Sequence, residues 1–306
     1  MRVGLIGSGY WARRVHGPGV ARNARAELVG VWGRDASRTA EAALELQTEA
    51  YSDLPTLLGS VDALTFAVPP DVQVRIALEA ARAGKHLLLE KPLATSVAEA
   101  HQLEEAVTQA NLASVVFFTR RFVPETQAWL RHLEELGGWQ CGRAESAAAI
   151  FVEGNPFGDS AWRKQKGALW DIGPHALSVL WPALGQVESV VAGEGVGDQV
   201  HLVLRHTGNR SSTASLSLTV PVAAIGNTTY VYGEHGRETA PTGASDPVDA
   251  HSAALDALIE QASTTNPAHP CDVHFGARVV EVLAAAEESL RTGRRVALSA
   301  QHEGSQ

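Results

Sequence analysis

Glu90-Lys91-Pro92 follows His86-Leu87-Leu88-Leu89, an apolar run that reads as a buried parallel strand. Open α/β sheets bind ligands outside the carboxyl ends of their strands. An ammonium at Lys91 can there hydrogen-bond, or protonate, the oxygen of a carbonyl that receives hydride. Lysine is scarce, with only Lys85, Lys91, Lys164 and Lys166 among 25 basic residues, and Lys91 is the one placed for chemistry. Pro92 is a candidate for a cis peptide bond, a common way to turn the chain at such a point. A second group lies in Trp170-Asp171-Ile172-Gly173-Pro174-His175. If a helix begins there, Asp171 and His175 share one face, and an imidazole beside a carboxylate can exchange a proton with a substrate hydroxyl near neutral pH. The same pair also fits Asp171 as a helix cap and His175 as a core histidine; on spacing alone that plainer reading is favoured.

Gly7-Ser8-Gly9-Tyr10-Trp11-Ala12 follows the first apolar run. In a Gly-x-Gly-x-x-Ala turn the first glycine permits the tight turn, the second lets backbone approach a pyrophosphate, and the small third residue allows close helix packing. The helix N-terminus behind it presents N–H groups to phosphate. Gly7, Ser8, Gly9, Tyr10 and Trp11 are therefore candidate dinucleotide contacts. At the end of the second run, where an NAD site usually carries an acid for the ribose 2′-hydroxyl, the chain reads Val31-Trp32-Gly33-Arg34-Asp35, with Arg38 one helical turn further on. Guanidinium groups there suit a 2′-phosphate, so NADP is favoured. NAD stays possible, with Asp35 serving the ribose and Arg34 and Arg38 as solvated charges. Glu90 and Pro92, flanking Lys91, belong to the same cofactor crevice.

The elements that position these residues alternate through the first 119 residues. Strands are expected at Arg2 to Ile6, Glu27 to Trp32, Ala50-Tyr51, Asp62 to Val68, His86 to Glu90 and Ala113 to Thr119, with helices at Ala36 to Gln47, Asp71 to Ala83 and Ser96 to Asn111. Ser96 with Glu99 is a capping box, and Gly84 a helix stop. This rhythm is that of a Rossmann-type, doubly wound parallel sheet. After Arg120 comes a helix, Pro124 to Leu136. Apolar/polar alternation then runs through Trp139 to Val152, Val187 to Ala192, Val200 to His206, Thr213 to Val220 and Thr228 to Tyr232, interrupted by one helix, Gly173 to Leu184. An α+β domain on an open, mostly antiparallel sheet is expected. Arg237 to Val248 reads as a loop, Ala250 to Ser263 and Phe275 to Thr292 as closing helices, and the tail after Ala300 as frayed. The domains are accordingly 1–119, dinucleotide-binding, and 120–306, for substrate binding and oligomerisation.

The chain has 306 residues and a formal net charge of −9, which argues against nucleic acid or an anionic membrane surface as partner. Residues 1–119 hold 11 basic and 13 acidic side chains, a net of −2, so the acidity lies mostly in the second half. Cys141 and Cys271 match neither a zinc spacing nor a disulfide framework. No metal is expected, and the thiols suit a reducing compartment. With no membrane-length apolar run and no secretory leader, a cytoplasmic protein acting on a small molecule is expected.

Taken together, these residues resemble the Gfo/Idh/MocA oxidoreductase family. The resemblance rests on Val3 to Ala12, on Ala83-Gly84-Lys85-His86 leading into Glu90-Lys91-Pro92, and on Arg121-Phe122-Val123-Pro124. In the second half it rests on Trp162-Arg163, on Asp171-x-Gly173-x-His175, and on Glu287-Glu288-Ser289-x-x-Thr292-Gly293-Arg294. It implies a Rossmann domain joined to an α+β domain whose open sheet forms a homodimer or homotetramer. It also implies oxidation or reduction of a secondary alcohol on a sugar-like or cyclitol-like substrate. By that resemblance Lys91 holds the substrate oxygen, His175 is the acid/base, and Asp171 orients the substrate or the histidine. Val68, Pro69 and Pro70 lie along the nicotinamide, and Trp162 and Arg163 close the site, though both also fit packing and an ion pair. Two relatives' activities on this scaffold form alternatives: NAD-dependent glycoside hydrolysis and non-catalytic dinucleotide sensing, the latter disfavoured because Lys91, Asp171 and His175 are all kept. Ser178 stands where inositol-oxidising members carry Asp, and Val74 where many relatives carry His, so a cyclitol or simple hexose is in doubt.

Overall fold

Leucine- and valine-rich runs too short for helices and flanked by turn residues form six parallel strands in the computed structural model, which describes residues 1–242 and 245–298. They are β1 (Arg2–Ile6), β2 (Glu27–Trp32), β3 (Glu49–Tyr51), β4 (Ala63–Phe66), β5 (His86–Leu89) and β6 (Ser114–Val116). Their order in the sheet is β3-β2-β1-β4-β5-β6, every pairing parallel. Strand order reverses between β1 and β4, the crevice where dinucleotides bind in such sheets. The connecting helices are α1 (Gly17–Arg22), α2 (Ala36–Glu45), α3 (Leu54–Ser60), α4 (Pro70–Arg82) and α5 (Val97–Gln109). Their ends have local causes. Asp35, Asp53 and Ser96 accept hydrogen bonds from the first turns of α2, α3 and α5. Gly84, at φ 72°, closes α4 with Lys85 N–H donating back to Ala80.

The rest of the chain comprises α6 (Pro124–Leu136), β7 (Trp139–Ala147), α7 (Ala161–Asp171), α8 (Gly173–Leu184), β8 (Val187–Glu194), β9 (Val200–His206), β10 (Arg210–Ser217), β11 (Gly226–Gly233), β12 (Gly236–Thr239), α9 (Pro247–Ala262), α10 (Val273–Thr292) and β13 (Val296–Ala297). Its seven-stranded sheet runs β12-β11-β7-β10-β9-β8-β13. Burial alternates strictly along β9, as a sheet with one solvated face requires. On the other face a Cβ at Gly142 of β7 would lie 2.8 Å from Leu180 and from Leu184, so α8 packs directly on the strand.

The sheet is mostly antiparallel, as expected, with the β7–β10 pairing parallel. Other features differ from the sequence reading. Part of the expected 237–248 loop is β12, paired with β11. The helix α7 was not anticipated, because its polar residues lack an apolar stripe. The expected frayed tail after Ala300 lies outside the described residues.

The chain divides into two compact units, Met1–Val123 with Ala244–Val280, and Pro124–Gly243 with Glu281–Gln306. A single cut at 119/120 does not describe this, since α9 returns to the first unit. Its stripe of Val248, His251, Leu255 and Leu258 is buried, and Arg22 of α1 pairs with Asp246 and Asp249 at its start.

Candidate functional site

In the first unit the glycine turn is shaped by contacts that a side chain would destroy. Gly7 has φ 115°, and a Cβ there would sit 2.5 Å from the Ala67 carbonyl oxygen; its N–H donates to Trp32 O at 2.8 Å. A Cβ on Gly9 would meet no heavy atom within 4 Å, so this backbone can be approached closely. The helix that starts at Tyr10 opens in a π-helical turn, Ala12–His16, before α1, a distortion frequent at functional sites. Tyr10 is exposed and Trp11 half-buried. Gly33, at the end of β2, abuts Ser8: a Cβ there would lie 3.2 Å from Ser8 Oγ. Val68, after β4, comes as close to Gly7, and Pro69 precedes the first turn of α4. These residues fit a dinucleotide pyrophosphate at the switch point.

Arg34 and Arg38 are exposed, and among the described residues no carboxylate pairs with either guanidinium. Asp35 is committed to α2, accepting the Arg38 N–H at 3.0 Å.

The Lys91–Pro92 peptide is cis. The corner it makes is built around Glu90. Gln73 clamps the Glu90 backbone, its Oε1 accepting the N–H and its Nε2 donating to the carbonyl, both at 2.8 Å. On the carboxylate, Oε1 accepts Trp11 Nε1–H at 2.7 Å and lies 3.0 Å from His16 Nε2, while Oε2 accepts the Lys91 N–H at 3.1 Å. Two expected cofactor contacts, Trp11 and Glu90, thus hold each other. His16, Gln73, Thr65 and His251 were not singled out in the sequence. His251 did carry a signal, a histidine on an otherwise apolar helical stripe.

In the second unit α7 ends at Asp171, Ile172 forms the joint and α8 begins at Gly173. Asp171 therefore closes one helix, and it neither caps α8 nor shares a helix start with His175. The residue before α8 is Ile172, with no side-chain cap. Asp171 is buried, and its Oδ2 accepts Arg163 Nε–H at 3.0 Å. The Arg163 guanidinium lies 4.7 Å from the ring centroids of both Phe157 and Trp162. Trp162 and Arg163 thus form the stack and ion pair that the sequence allowed. His175, in the first turn of α8, is half-buried. Ser178 is fully buried and donates to the His175 carbonyl at 2.9 Å. Among the described residues no group of three or more His, Cys, Asp or Glu side chains could hold a metal ion, and no helix is long and apolar enough to cross a membrane.

Residues 1–118 match a family model described as an oxidoreductase family with an NAD-binding Rossmann fold, and residues 140–238 match the Gfo/Idh/MocA C-terminal domain. The chain belongs to the Gfo/Idh/MocA oxidoreductase family. Among its relatives, UDP-N-acetylglucosamine 3-dehydrogenase of Acidithiobacillus ferrooxidans is 34% identical over 127 residues, covering 42% of this chain and 40% of that protein. Levoglucosan dehydrogenase of Pseudarthrobacter phenanthrenivorans is 29% identical over 215 residues, 63% of this chain and 53% of that protein. The chain thus spans about half the length of these curated relatives. An NAD binding oxidoreductase from Klebsiella pneumoniae superposes with a TM-score of 0.87 over 98% of this chain and 100% of that one, at 21% identity; at that identity the likeness is one of fold.

Proposed function

We propose that this Gfo/Idh/MocA member is an NAD(P)-dependent dehydrogenase or reductase acting on a secondary alcohol or carbonyl of a sugar-like or cyclic polyol-like molecule, with NADP preferred. The observation that carries the reading is the Trp11–Glu90 hydrogen bond, 2.7 Å, which ties the glycine-turn helix to the Lys91 corner. When bound, the nicotinamide ring supplies or accepts the hydride.

The Gly7-Ser8-Gly9 turn and the N–H groups that follow hold the pyrophosphate. Arg34 and Arg38 hold the 2′-phosphate, while Val68, Pro69 and Pro92 border the nicotinamide. Lys91 holds the substrate oxygen and stabilises the negative charge that develops on it. His175 moves the proton on that oxygen. Asp171, paired with Arg163, orients the substrate or the histidine, and Trp162 with Arg163 borders the substrate.

The named substrates of the relatives support a sugar-like molecule. Buried Val74 and the committed hydroxyl of Ser178 offer nothing to an additional ring hydroxyl, which argues against inositol. On this reading the protein acts in the cytoplasm, as a homodimer or homotetramer through the solvated face of the second sheet. Val203 of β9 is 53% exposed on that face, and Val203→Glu is expected to dissociate the oligomer by light scattering.

The test is absorbance at 340 nm with NADP⁺ or NAD⁺ against free sugars, anhydrosugars, nucleotide sugars and polyols. A rise with one sugar class, larger with NADP⁺, is expected. Greater kcat/KM with NAD⁺ would overturn the cofactor preference. Glycoside cleavage by tightly held cofactor, with no net absorbance change, would overturn the reaction.

A further inference from the structure

Beneath the Lys91 corner, within the first unit, lies a wholly buried group of three polar side chains: His16 of the π-helical turn, Thr65 of β4 and His251 of α9, each 0% exposed. Thr65 Oγ1 is 2.7 Å from His16 Nδ1 and 3.0 Å from His251 Nε2, and the two ring nitrogens are 3.1 Å apart. The other nitrogen of His16, Nε2, faces Glu90 Oε1 at 3.0 Å. Phe117 meets both imidazoles edge-on, walling the group off on the apolar side.

The hydrogen atoms can be placed by elimination. Burial and the neighbouring His16 push the His251 imidazole well below its ordinary pKa, so it is neutral and carries one N–H. Its Nδ1 is buried with no hydrogen-bond partner among the described residues. It faces Gly19 so closely that a Cβ on that glycine would collide with it. A donor there would be stranded, whereas a lone pair is tolerated at lower cost. The His251 proton therefore sits on Nε2 and is given to Thr65 Oγ1 or directly to His16 Nδ1. The Thr65 hydroxyl gives its own hydrogen to His16 Nδ1. Both neighbours of His16 Nδ1 are donors, so that nitrogen is an acceptor and the His16 proton is on Nε2, aimed at Glu90.

We propose that Thr65 and His251 lock His16 in its Nε2–H tautomer, making His16 a positioning residue that orients the Glu90 carboxylate between Trp11 and the Lys91 backbone. The inference deepens the dehydrogenase reading by naming what holds its Lys91 corner, and rests on that reading only for its catalytic meaning. The direction runs one way: a hydrogen on His16 Nδ1 would turn Thr65 towards His251 and drive the His251 proton onto Nδ1, against Gly19. Either donor alone suffices, because each reaches His16 Nδ1.

The test is two-bond ¹H–¹⁵N correlation of histidine-labelled full-length protein at pH 7.5, with His16 and His251 assigned from His16→Gln and His251→Gln. The expected result is a neutral Nε2–H pattern for both rings, kept by His16 in Thr65→Val, in His251→Phe and in Glu90→Leu, where the carboxylate acceptor is gone and only Thr65 and His251 fix the tautomer. An Nδ1–H or imidazolium pattern for His16 in the unsubstituted protein would overturn the lock, even where Glu90→Leu does not fold, and so would loss of Nε2–H in Glu90→Leu. Positioning is read at the Trp11 indole N–H and the Lys91 amide. Both resonances are expected to shift upfield in His16→Leu and to return in His16→Gln; unchanged resonances in His16→Leu would overturn it. None of these readouts needs turnover, so absence of dehydrogenase activity would remove the functional reading and leave the tautomer result standing.

Discussion

On the proposed reading, Arg34 and Arg38 carry the choice of cofactor. Their neighbour Asp35, which could have served a ribose hydroxyl, spends an oxygen on the first turn of α2, while the two guanidiniums stay in solvent with no carboxylate beside them among the described residues. A charge-assisted bond from Arg34 to a 2′-phosphate is worth roughly 1.5 to 3 kcal/mol. Arg34→Ala is accordingly expected to weaken NADPH binding about 10- to 100-fold while leaving NADH affinity within twofold, as read by quenching of intrinsic fluorescence. Equal weakening of both would mean Arg34 does not read the phosphate. At this scale the places of the Lys91–Pro92 corner and of the glycine turn were legible because each follows a short apolar strand. The buried partners of Glu90 were not. His16 and Thr65 are separated by 49 positions, and His16 and His251 by 235, and no local pattern encodes such a meeting.

Elements decide whether these side chains are useful, and the two glycines of the turn separate folding from binding. Gly7 combines positive φ with a Cβ position pressed on the Ala67 carbonyl. Gly7→Ala is therefore expected to lower Tm, with backbone strain on the order of 1 to 3 kcal/mol, and to abolish cofactor binding. Gly9 has open space before it. Gly9→Ala should leave Tm within about 1 °C, as surface changes do, yet weaken NADPH binding clearly; an unaltered affinity would show that no phosphate approaches Gly9. Strands β1 and β2 have the residues read from sequence; in β1 the continuous burial of Val3 to Ile6 leaves an unbroken apolar run. The helix α8 is also as expected, bounded by Gly173 and Gly185. Elements defined by long-range pairing were harder. The parallel β7–β10 match depends on sheet order, and β12 exists through its ladder with β11. Asp171 was placed at a helix start because α7 before it, broken at Gly167 with φ 62°, has no clear apolar periodicity.

Whole-molecule stability should be sensitive to acid. Burial holds the imidazoles of His86, His206, His251 and His269 below their ordinary value of 6.5, His269 at about 4. Unfolded, these rings take up protons as pH falls through 6.5 while the folded protein resists. Their contribution is therefore complete above 6.5 and is lost as pH falls towards 4. His274, raised by its hydrogen bond to Glu104, works in the opposite sense, one ring against four. Tm is expected to drop by roughly 5 °C or more between pH 7 and pH 5; a Tm that rises on acidification would contradict this balance. The return of 244–280 to the first unit is the large feature that reading along the chain misses, because α9 is bound there by tertiary contacts and not by its neighbours in sequence. The proposed chemistry depends on Lys91. The most direct measurement is cofactor-linked turnover at 340 nm of the unsubstituted protein and of Lys91→Ala on the same sugar substrate, alongside the NADPH Kd of each. Turnover lost by about 10²-fold or more with Kd within twofold is the expected result, and turnover retained in Lys91→Ala would contradict the account.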